Sequence, residues 1–157
     1  MPGRERVRVG EVIDAAVERL PEGTRVTTEA ADGLPDVTAD PRLLEQVLVN
    51  VLENAVKYSP PGAPIRIAAE RVGPTVVIHV MDDGIGIPAV DLPHIFDSFY
   101  RARHEDRTRP GTGLGLAIAR GLVEAMGGTI EAQSPRPDAP ADGAPGTMIT
   151  LTLPVAI

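Results

Sequence analysis

The segment from residue 40 to residue 58 constrains the fold most, because it combines a helix start, a long apolar periodicity and a sharp stop. Asp40-Pro41 places an acidic cap before a proline at the first helical position. The Ser-Pro-Pro-Gly sequence at 59–62 cannot continue a helix. We therefore predict a helix from Pro41 to about Tyr58. Its apolar residues recur at helical spacing and form one core face: Leu44, Val47, Leu48, Val51, Leu52 and Ala55.

The remaining periodicity predicts a mixed α/β domain. Apolar residues at helical spacing predict helices over 10–20 and 115–126, the second closed by Gly127-Gly128 in a left-handed cap. Alternating or extended patterns predict strands over 25–30, 36–39, 64–70, 75–81, 129–134 and 147–153. Three helices on one face of a mixed sheet of about five strands, a two-layer α/β sandwich, are the predicted fold. The Pro-, Ala- and Asp-rich segment 135–145 predicts a mobile surface loop.

Composition limits the classes of partner. The 157 residues suffice for one domain with its own core, and 43% hydrophobic and 24% charged residues are typical of a globular chain. The net charge of −7 argues against nucleic acid and anionic membranes as partners. The absence of cysteine excludes disulfides and thiolate metal sites. No apolar run approaches the ~20 residues that span a bilayer, so we expect a single cytoplasmic domain over residues 1–157.

The predicted 41–58 helix carries a polar stripe opposite its core face. Gln46, Asn50, Asn54 and Lys57 are spaced four, four and three residues apart and therefore share one side. Asn is a poor helix former, so two of them one turn apart are unusual on a plain solvated face. Amide oxygens can coordinate Mg²⁺, and a lysine one turn later can reach an attached phosphate. A polar helix surface without a ligand is the alternative.

A first glycine-rich turn follows the predicted 75–81 strand. In Asp82-x-Gly84-x-Gly86 the glycines permit positive φ and let a ligand approach the backbone. A carboxylate fixed there can accept a hydrogen bond from an exocyclic amine such as adenine N6. An ordinary Asp-Gly turn is the alternative interpretation.

A second glycine-rich turn leads directly into the last predicted helix. In the GTGLGL sequence at 111–116, backbone N–H groups freed by glycines at a helix N-terminus predict an anion site. The dinucleotide fingerprint requires G-x-G-x-x-G after a strand, whereas this turn has G-x-G-x-G after an Arg-rich loop. We therefore reject the dinucleotide interpretation and retain a plain helix-start turn as the alternative.

Four arginines precede this second turn: Arg101, Arg103, Arg107 and Arg109. In a chain with only 15 basic residues, this is a local positive patch suited to a polyphosphate. A solvated loop with incidental charge is the alternative.

Four motifs in this order resemble those of the ATP-binding domain of sensor histidine kinases, in the superfamily that also holds gyrase, the Hsp90 chaperones and the mismatch-repair ATPases. LLEQVLVNVLENAVKYSP is similar to the N box, DDGIGIP to the G1 box, IFDSFYR to the F box and GTGLGLAI to the G2 box. The resemblance implies the Bergerat-type ATP-binding fold, with ATP and Mg²⁺ as cofactors.

The resemblance also implies roles for individual residues. Asn54 would be the principal Mg²⁺ ligand with Asn50 beside it, and Asp82 would recognise adenine N6. Residues 88–112 would form a lid over the nucleotide. The catalytic residues would be Asn50, Lys57, Arg101 and one of Arg107 or Arg109, all near the phosphates. The remaining nucleotide contacts would be Tyr58, Gly84, Gly86 and Ile87 around the adenine, and Gly111, Thr112, Gly113, Leu114, Gly115 and Leu116 around the phosphates.

Position 50 separates the subfamilies of this superfamily. The gyrase-like ATPases have a water-activating Glu four residues before the metal-binding Asn, whereas this chain has Asn50. Because removing a general base typically costs ~10²–10⁴-fold in rate, we expect slow hydrolysis and transfer of the γ-phosphoryl elsewhere. The alternatives are an ATP-dependent conformational module that binds a partner, or a serine kinase of the same superfamily.

The acceptor histidine is not in the sequence context that the family uses. His79 lies in a predicted strand, and His94 and His104 lie in or beside the predicted lid. We therefore expect a monomeric catalytic domain that does not autophosphorylate alone. The resemblance implies upstream dimerisation and phosphoacceptor helices as its partners, a response regulator as an indirect partner, and a membrane-anchored parent protein. FYRARHEDRTRPGTGLGLAIARG resembles the Kdp-type potassium sensors more narrowly.

Overall fold

The fold is built on one mixed sheet, seen in a computed structural model that describes residues 3–99 and 114–157. The described helices are α1 (Val9–Glu18), α2 (Pro41–Tyr58) and α3 (Gly115–Ala125), with a short 3-10 helix at Leu92–His94. The described strands are β1 (Glu5–Val7), β2 (Val26–Ala30), β3 (Val37–Ala39), β4 (Ile65–Val72), β5 (Thr75–Asp82), β6 (Thr129–Gln133) and β7 (Thr147–Pro154).

Five of these strands pair in the order β2-β4-β5-β7-β6. β2 runs parallel to β4 and the other pairs are antiparallel, so the sheet is mixed. The side chains buried between this sheet and the three helices form one apolar core. The predicted two-layer α/β sandwich is confirmed.

Helix α2 begins and ends where its sequence predicts. The Asp40 side chain accepts hydrogen bonds from the backbone N–H groups of Arg42 (3.0 Å) and Leu43 (3.3 Å), and Pro41 occupies the first turn. The whole predicted apolar face is buried, and Val49 is buried with it. Burial of this face, at about 25 cal/mol per Å² of apolar surface, fixes α2 against the sheet.

Alternation in the central strands decides which side chains face the helices. In β5, Val76, Ile78 and Val80 are buried at every second position, and the same alternation buries Asp82 at the end of the strand. In β7, Thr147 pairs with Asp82 and begins the matching inward row. The strand therefore places a carboxylate on the helix side of the sheet.

A small ribbon of β1 and β3 was not predicted as a sheet. β1 is three residues long and largely charged, so its own sequence carries no strand period. It is fixed by non-local contacts: Arg6 forms an ion pair with Asp36 at 3.6 Å and donates to the carbonyl of Ile157 at 3.0 Å. A bridge between Val37 and Val155 joins the ribbon to the residue that follows β7.

Within residues 3–99 and 114–157, no helix has the length and apolar character needed to cross a membrane.

The turn after α3 gives a test of the packing. Gly127 adopts φ +79°, as predicted for a left-handed cap, and a Cβ on Gly128 would lie 2.3 Å from the carbonyl oxygen of Thr152. We expect Gly128→Ala to lower the free energy of unfolding by about 1–3 kcal/mol, because the opposing atom is backbone in β7 and cannot turn aside.

Gly121→Ala is the matched control. Gly121 is exposed inside α3, and a Cβ added there would have no neighbouring atom within 4 Å. The substitution should raise the free energy of unfolding by about 0.5–1 kcal/mol through helix propensity. Urea denaturation of both variants measures the contrast; equal effects would mean that Gly128 does not lie against the carbonyl of Thr152 as described.

Candidate functional site

The site is organised around the buried carboxylate of Asp82. Its Oδ1 accepts a hydrogen bond from the backbone N–H of Gly84 at 2.9 Å, and the residue is 6% exposed. Burial raises the pKa of this carboxyl above its ordinary value of 3.8, and hydrogen bonds from the backbones of Gly84 and Thr147 partly oppose that shift. Asp82 is therefore a pre-oriented acceptor in a place where water has been excluded.

The first glycine turn lies directly against the end of α2. A Cβ on Gly84 would be 2.3 Å from the carbonyl oxygen of Tyr58 and 2.9 Å from its carbonyl carbon. Only glycine permits this approach, so residue 84 is what allows the turn after β5 to rest on the last residue of α2. The structure thus brings Tyr58, from the N-box motif, against Asp82 and Gly84, from the G1-box motif.

The second turn is joined to the middle of α2 through Asn50. The Asn50 Nδ2 group donates to the carbonyl of Gly115, the first residue of α3, at 3.1 Å. The Asn50 Oδ1 atom in turn accepts from Gln46 Nε2 at 2.7 Å. Arg19, at the end of α1, donates to Gln46 Oε1 at 3.4 Å. This row of hydrogen bonds runs along the predicted polar stripe and ties α1, α2 and α3 together.

Asn54 lies midway between these two junctions. It is one turn from Asn50 and one turn from Tyr58 on α2, and at 1.5 Å per residue the two junctions are about 12 Å apart along the helix. Asn50, Asn54 and Lys57 are all half-buried, so the stripe is not a fully solvated face. The Lys57 ammonium lies 5.1 Å from the ring centroid of its neighbour Tyr58, within range of a cation–π contact.

The segment after β6 differs from the mobile loop that its composition predicts. Ser134 Oγ accepts a hydrogen bond from the backbone N–H of Ile87 at 2.8 Å and donates to the carbonyl of Gly146 at 2.8 Å. Arg136 Nη1 donates to the carbonyl of Asp82 at 2.9 Å. The ends of this loop therefore support the first glycine turn. The composition of the loop predicts its exposed middle correctly, but it cannot predict these long-range contacts at the two ends.

The remaining predicted residues divide into two groups. Gly86 is buried at φ +75° against Pro145 and Ser134, and Ile87 is half-buried beside it. Leu114 immediately precedes α3, and Leu116 packs on the edge of the core. Several predicted residues lie outside the described part of the chain: Arg101, Arg103, His104, Arg107, Arg109, Gly111, Thr112 and Gly113, together with residues 100–112 of the predicted lid.

His79 lies on the sheet face, as its alternating strand predicts. Its ring nitrogen Nδ1 is 2.9 Å from Thr150 Oγ1 on β7, and its Nε2 is 3.8 Å from a Glu70 carboxylate oxygen. In β5 it faces away from the row that holds Asp82. The ring of His79 therefore contacts residues of the neighbouring strands β4 and β7 and lies away from the glycine turns.

Any metal at this site would need ligands other than a carboxylate and histidine cluster. In the described residues, no group of three or more His, Cys, Asp or Glu could hold an ion. The amide side chains of Asn50 and Asn54 offer oxygen atoms, which suit a hard cation that takes most of its ligands from phosphate and water. The donor set fits Mg²⁺ held through a polyphosphate and does not fit a dedicated protein cage.

The buried carboxylate predicts a pH-dependent stability. Since the folded-state pKa of Asp82 is raised, its contribution to stability is greatest below pH 3.8 and is lost as pH rises through the folded-state pKa. Asp82→Asn cannot ionise, so its free energy of unfolding relative to wild type should increase between pH 4 and pH 7. Urea unfolding at several pH values measures this; exposed Asp142→Asn is the control, and a pH-independent difference would contradict the account.

Comparison with known proteins places this arrangement in a family. Residues 39–157 match the family described as histidine kinase-, DNA gyrase B- and HSP90-like ATPase. The sensor protein KdpD of Clostridium acetobutylicum is 39% identical over 128 residues, which is 79% of this chain and 14% of that protein. The sensor histidine kinase WalK of Bacillus subtilis is 38% identical over 159 residues, 96% of this chain and 25% of that protein.

A solved structure agrees with the sequence comparison. The mycobacterial sensor histidine kinase MprB superposes with a TM-score of 0.83 and 31% identity, covering 98% of both chains. This chain spans about a quarter or less of the two curated relatives, and KdpD and WalK match about equally well, so the narrower Kdp resemblance stays a prediction. The chain belongs to the histidine kinase-, DNA gyrase B- and HSP90-like ATPase family, and within it is a catalytic domain of the protein-histidine kinase type.

Proposed function

We propose that this domain binds Mg-ATP between α2 and the two glycine turns and donates the γ-phosphoryl group to a histidine on a separate helical domain. The observation that carries the proposal is the contact of α2 with both turns, at Tyr58–Gly84 and at Asn50–Gly115. An elongated ligand lying along the polar stripe would meet Asp82 at one end and the start of α3 at the other. That polarity matches a base at the first turn and phosphates at the second.

Base recognition would fall to Asp82. The Gly84 N–H binds Oδ1, which fixes the carboxylate plane and leaves further lone pairs able to accept from an exocyclic amine. Because the group is buried, a hydrogen bond to it is stronger than in water, and a base lacking that amine would leave the carboxylate unsatisfied. Gly84, Gly86 and Ile87 would form the wall beside the base, with Tyr58 at the end of α2.

Phosphate binding would fall to the other half of the stripe and to the second turn. Backbone N–H groups at the start of α3, in Leu114, Gly115 and Leu116, would bind the phosphates, because the N-terminus of a helix favours an anion. Lys57 lies at the Tyr58 end of the stripe, one turn after Asn54, and its long side chain would bring a positive charge to the phosphates from there. We propose that Gly111, Thr112 and Gly113 extend this cradle, and that Arg101 and one of Arg107 or Arg109 approach the phosphates when the 88–112 lid closes.

Asn54, with Asn50 beside it, would hold Mg²⁺ through amide oxygens. When bound, the ion neutralises charge that develops on the phosphates in a loose phosphoryl-transfer transition state. Asn50 carries no basic group, so nothing at that position takes a proton from water. The domain therefore retains ATP for transfer to an acceptor instead of hydrolysing it, and fixed donors around the phosphates supply the electrostatic stabilisation.

The acceptor and the wider protein are part of the same proposal. The relatives are much longer than this chain, so their remaining length has room for other domains. We propose that the domain acts in the cytoplasm as part of a longer, membrane-anchored two-component kinase. Its direct partners would be the dimerisation helices that carry the phosphoacceptor histidine, and a response regulator would follow downstream.

Asn54→Ala tests the metal and phosphate end of the site. Asn54 is half-buried on the polar stripe and outside the apolar face, so its replacement should leave the thermal midpoint nearly unchanged. Loss of one polar contact to a charged ligand should weaken Mg-dependent ATP binding by at least about tenfold. Calorimetry with ATP in the presence and absence of Mg²⁺ measures the change, with the adjacent exposed Glu53→Ala as control.

A transfer assay tests the reaction. The domain is mixed with labelled Mg-ATP and a separately produced two-helix fragment carrying the acceptor histidine, taken from the dimerisation region of the same kinase. We expect acid-labile phosphate on that fragment, none on the domain, and ATP turnover well below that of a gyrase-type ATPase. Rapid release of free phosphate without labelled histidine, with ATP binding intact, would replace the kinase proposal by an ATPase.

A further inference from the structure

Arg136 is a charged side chain held almost out of solvent behind the Asp82 turn. Its side chain is 9% exposed although it lies in the Pro- and Asp-rich loop between β6 and β7. Nη1 donates to the carbonyl of Asp82 at 2.9 Å and also contacts the Asp83 carboxylate. Nε donates to Asp138 Oδ1 at 2.9 Å. A charge is buried at little cost only when it is paired, and these contacts pair it.

The contacts of Arg136 fix one peptide unit. A guanidinium bound to the backbone carbonyl of residue 82 and to the side chain of residue 83 restricts rotation of the chain between them. Gly146 leaves the space for this contact, since a Cβ there would lie 2.3 Å from the Asp82 carbonyl oxygen and 2.7 Å from Arg136 Nη1. The loop is held in turn by a hydrogen bond from the Arg136 N–H to the carbonyl of Pro145 at 3.0 Å.

A charged partner on the sheet steadies the guanidinium. Asp138 bridges Arg136 and Arg66, and Arg66 Nη2 on β4 donates to Asp138 Oδ2 at 2.9 Å. The hydrogen bond from Arg66 lowers the pKa of the Asp138 carboxyl, and that from Arg136 adds to the effect. Asp138 therefore stays ionised. Through its bond to Arg66, it fixes the position of Arg136 relative to strand β4 of the central sheet.

The other end of the same turn is held from the same loop. Ser134 Oγ accepts from the Ile87 N–H, and Gly86 packs on Pro145 with a would-be Cβ 2.8 Å from its Cγ. Residues 82–87 are thus fixed from behind at both ends, while Gly84 rests on Tyr58 in front. An unsupported turn could move Asp82 relative to a bound base.

We infer that Arg136 is a positioning residue for base selection, which fixes the Asp82 carboxylate so that it accepts a hydrogen bond from an exocyclic amine. The inference rests on the proposed adenine nucleotide site. Arg136 does not touch the nucleotide; it acts through the backbone of residues 82 and 83. The structural signature is a buried arginine whose partners all belong to the loop or to the Asp82 turn.

The property to measure is discrimination between ADP and IDP. Hypoxanthine presents a carbonyl oxygen where adenine presents an amine, so a fixed carboxylate accepts from adenine and repels hypoxanthine. A carboxylate that can move loses much of this difference, because rejection depends on leaving a buried polar group unpaired. A purely structural defect would lower both affinities together and leave their ratio unchanged.

The experiment measures dissociation constants of ADP and IDP, with Mg²⁺, for wild type, Arg136→Ala and Arg136→Lys. We expect Arg136→Ala to reduce the IDP-to-ADP ratio by about tenfold, mainly through weaker ADP binding, which is the scale of one hydrogen bond to a charged group. A lysine ammonium cannot bridge two partners as the planar guanidinium does, so Arg136→Lys should restore little of the discrimination between ADP and IDP. Arg120→Ala, which breaks an exposed pair with Glu124, is the control.

A second variant keeps the test decisive if Arg136→Ala does not fold. Asp138 is exposed, and Asp138→Asn should reduce the ratio in the same direction by a smaller factor. An unchanged ratio in folded variants of a discriminating wild type overturns the role of Arg136 and leaves the proposed function intact. If the wild-type domain binds ADP and IDP equally, Asp82 does not recognise the adenine amine, and the role inferred for Arg136 is overturned as well.

Discussion

The contact between the carbonyl of Tyr58 and Gly84 is the constraint on which the rest of the site depends. It places the last turn of α2 against the turn that follows β5, with no room for a side chain between them. Once that distance is fixed, the polar stripe of α2 must border the Asp82 turn at one end. The bond from Asn50 to Gly115 then sets where α3 begins along the same stripe.

The same strand that builds the core also carries Asp82, the group that we propose for base recognition. Asp82 continues the alternation of Val76, Ile78 and Val80, so the carboxylate is directed inward by the pleat of β5 and not by a special loop conformation. Its pairing partner Thr147 lies in the inward row of β7, the next strand of the sheet. A shift of one residue in this register would turn the carboxylate to the opposite face and abolish the site.

Local signals predicted most of the fold, and long-range contacts account for what they missed. Asp40-Pro41 predicts the start of α2, and the spacing from Leu44 to Ala55 predicts its buried face, all within a helix of eighteen residues. The family motifs pointed to Asp82 and Asn50 as candidate site residues. β1 and the anchored 134–146 loop were missed, because their structure depends on partners such as Asp36, Ile157 and Asp82 that lie far away in sequence. A buried arginine in a proline-rich loop has no periodic signature.

The placement of charge around Asp82 reflects a conflict between stability and the base recognition that we propose. Burial favours the neutral acid, yet a fixed acceptor for an amine must remain available as a carboxylate at neutral pH. The backbone donors at Gly84 and Thr147 and the nearby Arg136 charge each favour the ionised form, while Asp83 opposes it. Arg136 contacts the Asp83 carboxylate directly, so one guanidinium offsets the repulsive neighbour and holds the backbone of the acceptor. Under the proposed function, that double requirement gives a reason for the loop to bury a charge there.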